Sequence, residues 1–172
     1  MRTLQTPRLV LAPQVAAHAE AMFEVLSDPL IYEFENAPPR SLAWLRERFA
    51  KLETRRSGDG LEDWLNWVVS EHGGEPIGYV QATVQADGRA YIAYELGSAF
   101  WGRGLGREAV AAMIDELVAS YGVHTVQAVF KRANFRSRRL LEALGFATPS
   151  AQALQHFALE ADEMGLQRAA VR

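Results

Sequence analysis

The chain has 172 residues, with 18 Lys+Arg against 21 Asp+Glu, a net charge of −3 and no cysteine. That length suits one domain able to bury its own core, and the missing cysteines exclude a disulfide framework, a CxxC redox site, a thiolate zinc site and a cysteine nucleophile. With 49% hydrophobic and 23% charged residues the composition is that of an ordinary globular domain, and the mild negative charge argues against nucleic acid as the main partner.

No uncharged apolar run approaches the roughly 18 residues that span a bilayer. The opening MRTLQTPRLVLAP has too short an apolar core for a signal peptide. A reducing, cytoplasmic location and no membrane partner are the expectation.

Arg8–Ala12 reads as a first strand closed by Pro13. From Gln14 to Leu26, Val15, Ala19, Met22, Phe23 and Leu26 fall at helical spacing, and Asp28-Pro29 stops the helix. Leu30–Arg40 is an irregular loop. Ser41 is placed to cap a second helix running to about Arg55, with Leu42, Leu45, Phe49 and Leu52 on one stripe. Three strands follow, Trp64–His72, Ile77–Ala86 and Arg89–Leu96, joined by Gly73-Gly74 and Asp87-Gly88, so an antiparallel meander is predicted.

Next come a glycine-rich stretch at Gly97–Trp101 and a helix from about Gly106 to Ser120. Val123–Phe130 is a strand, Asn134–Leu144 a helix, Leu154–Leu159 a last strand, and Glu160–Arg172 a polar tail, helical or frayed. No internal repeat or linker interrupts the chain, so residues 1–172 form one domain, about 161–172 being its tail. The order describes a mixed α/β sheet. Its strand–helix–strand unit, Arg89–Phe130, requires a right-handed crossover between parallel strands, which places a ligand where the first of them ends.

That junction reads Trp101-Gly102-Arg103-Gly104-Leu105-Gly106-Arg107-Glu108. Glycine at alternate positions lets backbone N–H groups approach a ligand, and the helix start adds partial positive charge, which suits a phosphate or pyrophosphate. No Lys-Ser/Thr pair follows, so this is not a P-loop. The third glycine comes one position early and Val123–Phe130 holds no carboxylate, so it is not a dinucleotide fingerprint. A second cluster, Lys131 to Arg139, carries five cations and no acid. With Arg103 and Arg107 it suggests a polyanionic ligand.

These two clusters, in this order, resemble the GNAT superfamily of N-acetyltransferases. The acetyl-CoA loop of that family, Q/R-x-x-G-x-G/A, is matched at Gly104 and Gly106, with Trp101 in place of Gln or Arg. Asn134, Ser137 and Leu140-Leu141-Glu142-Ala143-Leu144-Gly145-Phe146 match the later N-x-x-S and L-L-E-x-L-G-F signature. Trp101-Gly102 and the opening Thr6-Pro7-Arg8-Leu9-Val10-Leu11 are similar to the ribosomal-protein N-terminal alanine acetyltransferases (the RimJ/RimL-like branch). The likeness covers nearly the whole chain. It implies a GNAT-like fold: a central, mostly antiparallel sheet of about seven strands with a parallel pair splayed at the acetyl-CoA site, flanked by about four helices.

The implied activity is direct transfer of an acetyl group from acetyl-CoA to a primary amine, a protein N-terminus or a small amine, without a metal. The resemblance assigns the diphosphate to the backbone of Gly102, Arg103, Gly104, Leu105, Gly106 and Arg107. It assigns the thioester carbonyl to the strand end Tyr94-Glu95-Leu96, with the Leu96 N–H as donor. Asn134 is expected to bond the pantetheine amides. The family tyrosine that assists the leaving thiolate falls at Leu141, so Ser137, one turn earlier, is the candidate acid. The base is open between Glu95, His156 on the expected last strand, and water. Tyr32, Glu33, Phe34 and Glu35 are placed beside the acceptor, whose charge their carboxylates would favour if cationic. Trp64, Trp67, Tyr79, Tyr91 and Tyr94 are expected mainly in the core, with one or two lining the acceptor pocket. A non-catalytic acyl-CoA-binding module and an RNA-binding basic patch are the other readings, and the assembly is monomer or homodimer.

Overall fold

The computed structural model describes residues 1–34 and 36–170. Seven strands lie side by side in chain order: β1 (Leu4–Gln5), β2 (Leu9–Pro13), β3 (Glu62–Glu71), β4 (Pro76–Gln85), β5 (Arg89–Leu96), β6 (Thr125–Lys131) and β7 (Glu163–Ala169). Every neighbouring pair is antiparallel except β5–β6. The expected meander is β3–β4–β5. Its parallel return to β6 runs through α3 (Leu105–Tyr121), because two parallel neighbours need a long crossover.

Two cores share the sheet. Strand alternation sends Leu9, Leu11, Trp67, Val80 and Val126 to one face, where α3 covers them with Ala109, Val110, Met113, Ile114 and Leu117. α4 (Phe135–Ala143) adds Leu141 to the same core. The other face carries α1 (Ala19–Leu26) and α2 (Leu42–Leu52), which bury Met22, Leu26, Leu45 and Phe49 against Val68. Ser41 caps α2, its Oγ accepting from the Trp44 amide at 3.1 Å. The expected loop between these helices contains one 3-10 turn, Pro29–Tyr32, opened by Asp28.

The C-terminal expectations need correction. Leu154–Leu159 is not a strand: Ser150 caps a single turn, α5 (Ala151–Leu154), and the chain then bends. The last strand lies in the segment expected to be a tail. Its signal is hidden because Gly165 interrupts the apolar alternation, yet that glycine is where Phe157 packs. A Cβ there would lie 2.5 Å from the Phe157 ring, so side-chain absence, not flexibility, is what the position supplies. Phe157 in turn meets Tyr91 edge-on, with centroids 6.0 Å apart.

Candidate active site

The parallel pair is in register only at Arg89–Thr125, Ala90–Val126 and Tyr91–Gln127. β5 continues to Leu96 alongside β4, and β6 continues to Lys131 alongside β7, so each follows its own antiparallel partner and a gap opens between them. The Gly97 amide donates to the Ile77 carbonyl at 2.9 Å. This fixes the alternation of β5: Glu95 turns its backbone groups to β4, while Tyr94 and Leu96 turn theirs into the gap. The Leu96 carbonyl accepts from Trp101 Nε1 at 2.8 Å, and the Leu96 N–H faces the opening.

The glycine loop closes one end of the gap. Gly102 and Gly104 have φ of 74° and 76°, a left-handed geometry that favours glycine. Gly104 is the N-cap of α3 and has no side chain to cap with, so the amides of Leu105, Gly106 and Arg107 start the helix without intrahelical acceptors. Glu108 ties this turn to the chain start. Its carboxylate accepts from Thr6 Oγ1 (2.6 Å), the Arg8 amide (3.0 Å) and Arg8 Nε (2.6 Å). Arg8 also donates to the Arg103 carbonyl at 2.8 Å. Burial opposes ionisation of Glu108, but the hydrogen bonds from Thr6 and Arg8 outweigh it and hold the carboxyl below its usual range.

α4 forms the opposite wall. Asn134 caps it, Oδ1 accepting from the Ser137 amide at 3.0 Å, which leaves the Nδ2 donors for other use. The resulting cleft, about 520 Å³, is lined by Gly102, Gly104, Leu105, Gly106 and Arg107 on one side and by Asn134, Ser137, Arg139 and Leu140 on the other. Tyr94, Glu95 and Leu96 lie at its floor. Eight of the nine expected loop and strand residues are thus joined to Asn134 and Ser137 in one place. Arg103 is the exception: its guanidinium is drawn off to Glu71 at 2.7 Å and only its backbone stays in the loop.

The five-cation cluster is largely neutralised. Lys131 meets Glu160, Asp162 and Glu163, and Arg138 pairs with Glu142. Arg136 pairs with Glu33 and lies 4.3 Å from the Trp101 ring centroid and 5.4 Å from that of Phe34, bridging the mouth of the cleft. Arg107 and Arg139 are the cations that line the cleft with Arg136.

A second cavity, about 360 Å³, lies on the α1/α2 face of the sheet. It shares Ile31, Phe34, Tyr94, Glu95, Asn134 and Ser137 with the first, so the two meet at the end of β5. Tyr94 donates to the Ser137 carbonyl across a long 3.4 Å. Burial pushes its phenol up to about 12, a hydrogen bond with Ser137 pulling the other way, so it is a protonated donor at neutral pH. Tyr79 lies directly across from Glu95 in the β4–β5 register. Burial and then the Glu95 carboxylate raise the Tyr79 phenol well above its ordinary value, and the same two causes raise Tyr32.

The remaining candidates separate. His156 is not on a strand but in the exposed turn after α5, where its carbonyl accepts from Tyr91, and it lines neither cavity. Tyr32 and Phe34 line the second cavity, Glu33 is committed to Arg136, and Glu35 lies outside the described residues. Trp67 is fully buried, whereas Tyr79 and Tyr94 reach the cavities. Leu141 is core. The cavity residues Gln14, Asn66 and Gln81 carry no local motif and are brought together by strand register, Arg48 joins them from α2, and Glu108 meets Thr6 and Arg8 of the matched opening segment only in the fold. Among the described residues no group of three His, Asp or Glu could hold a metal, and no helix is long and apolar enough to cross a membrane.

Residues 8–147 match the family model described as an acetyltransferase (GNAT) domain. An uncharacterised N-acetyltransferase p20 of Bacillus licheniformis is 30% identical over 148 residues, covering 85% of this chain and 83% of that protein. The structure resembles RimL, a ribosomal L7/L12 α-N-protein acetyltransferase in complex with coenzyme A, with a TM-score of 0.81 and 15% identity over 97% of each chain. It also resembles Mycobacterium smegmatis RimJ in complex with a CoA disulfide, with a TM-score of 0.77 and 18% identity over 98% of this chain and 86% of that one. With the splayed strands, the glycine turn and the matched model together, the chain belongs to the GNAT family, an acetyltransferase that draws on acetyl-CoA.

Proposed function

We propose that the enzyme transfers the acetyl group directly to a primary amine, a protein N-terminus or a small amine, within a ternary complex. The observation that carries this is the meeting of two cavities at Glu95, Tyr94, Asn134 and Ser137: one lies under the phosphate-binding turn, the other opens towards α1 and α2. With no cysteine in the chain, an acetylated enzyme thiol is excluded.

In this reading the amides of residues 102–107 hold the diphosphate, and the Asn134 Nδ2 donors bond the pantetheine carbonyls. As the amine attacks the thioester carbon, charge builds on the carbonyl oxygen and the Leu96 N–H, fixed by the β5 alternation, stabilises it. Glu95 takes the proton from the amine. The C–S bond breaks, and the Ser137 hydroxyl donates a hydrogen bond to the departing thiolate, which leaves as the anion and takes its proton from solvent. Thiolates leave readily, so a hydroxyl suffices.

The test has two stages. Thermal shift with acetyl-CoA, coenzyme A and NAD should show stabilisation by the first two alone. A thiol reagent should then report coenzyme release that depends on an added amine; because the protein has no thiol of its own, it adds nothing to the signal. Binding without amine-dependent release overturns the transfer reading.

A further inference from the structure

The floor of the second cavity holds a row of carboxamides. Gln14 extends the β2–β3 pairing, its amide donating to the Asn66 carbonyl at 2.9 Å. Asn66 lies opposite Gln81, and Gln81 opposite Ala93. Residues directly opposite share a face of the sheet, so Gln14, Asn66 and Gln81 stand side by side across three strands, and all three line the cavity. Gln14 and Asn66 are only 4% and 5% exposed. Among the described residues the Gln14 Nε2 has no hydrogen-bond partner, and Asn66 Nδ2 reaches the Trp64 carbonyl at a long 3.4 Å. A buried amide donor left without an acceptor costs about 1–3 kcal/mol. One such donor, on Gln14, beside the carboxamides of Asn66 and Gln81 is poor packing and good recognition. Arg48 also lines the cavity, stacked over Trp44 and without an ion pair among the described residues.

The row runs away from the reacting end, with Gln81, opposite Ala93, as its near member and Gln14 as its far one. Glu95 is two residues along β5 from Ala93, and Gln14 is three strands away from β5. Strand rise and spacing put their backbones roughly 16 Å apart, and the two side chains leave on the order of 10 Å between them. With a hydrogen bond of about 3 Å at each end, the acceptor's amine and oxygen must stand about 4 Å or more apart, beyond the roughly 3 Å between nitrogen and carboxylate of a free α-amino acid.

We infer that Gln14, Asn66 and Gln81 select an extended acceptor, one that carries a hydrogen-bond-accepting carbonyl or carboxylate oxygen well away from its amine. An ω-amino acid and the first two residues of a peptide both present this chemistry. The inference rests on the amine-transfer reading and adds what the far end of the amine must be.

The experiment compares four amines as acceptors by coenzyme release: ε-aminocaproate, alanyl-alanine amide, hexylamine and alanine. The wild-type enzyme should favour at least one of the first two by about tenfold or more in kcat/KM over both of the others, the worth of one satisfied hydrogen bond. Which of the two is preferred tells a free ω-amino acid from a peptide end. Gln14→Met, which keeps volume and removes the amide, should erase that preference by about tenfold while the coenzyme A dissociation constant stays the same. Gln81→Met, at a half-buried site, gives the same comparison with less risk to folding. Hexylamine or alanine serving as well as the first two, or either variant retaining the full preference, overturns the proposal alone. Coenzyme binding with no transfer to any amine overturns the transfer reading and this proposal with it.

Discussion

Gly104 sits at φ 76° where α3 begins, with only an Arg8 nitrogen within 4 Å of where a Cβ would point. Space is not what fixes the residue; its left-handed backbone geometry is. Gly104→Glu imposes left-handed strain of about 1–2 kcal/mol and sets a carboxylate against the coenzyme diphosphate, so calorimetry should find coenzyme A affinity lowered by about 100-fold or more. Unchanged affinity would remove the loop from the binding site. Ser137 is a subtler case, since its amide also bonds the Asn134 cap. Ser137→Ala keeps that backbone bond, so it should lower kcat by about tenfold to 100-fold with little change in coenzyme affinity. Equal turnover would leave Ser137 a structural residue. At this scale the glycines, Asn134 and Ser137 were legible because they are local and closely spaced. His156 was misplaced because its role depended on a strand that does not exist, and the carboxamide row was invisible because its members are scattered from position 14 to position 81.

The α3 start is an element held from outside. Thr6 and Arg8 clamp Glu108, and Arg8 grips the Arg103 carbonyl, so the loop is shaped by the turn between β1 and β2. Because the folded carboxyl lies below its usual range, its contribution is fully present above the ordinary carboxylate value and is lost as pH falls through the folded one. Glu108→Gln should therefore lower the melting temperature at neutral pH by roughly 2–10 °C, from about 1–3 kcal/mol of lost charged hydrogen bonds. The difference from wild type should shrink as pH falls through the folded carboxyl's own lowered range. A gap that is constant with pH would mean the charge contributes nothing. Among the elements, periodicity served the helices and the meander well. It failed at β7, where Gly165 looks like a breaker in the sequence but is the seat of the Phe157 ring, a tertiary contact that no local pattern encodes.

Across the whole molecule, the sheet is continuous in strand order yet divided in hydrogen bonding. β1 to β5 form one part, β6 and β7 another, and three residue pairs join them. Hydrogen exchange should find the gap-facing amides of Tyr94 and Leu96 fast without ligand and slowed by about tenfold or more on saturation with coenzyme A, while the amides of β3 and β4 stay unaffected. Equal rates in both states would mean the coenzyme does not occupy the gap. The architecture was readable from the order of elements, because a strand–helix–strand unit forces the parallel pair. The length of its contact was not, since it depends on how each strand follows its outer neighbour.

The three joining pairs act as the apex of a V. Ala90 and Val126 meet there with no exposed surface, and the open arms extend to Leu96, about 20 Å along the strand. A small change of angle at such a pivot is magnified at the far end. A larger side chain at Ala90 should thus adjust the width of the cleft by leverage, from a place outside the cleft's own lining.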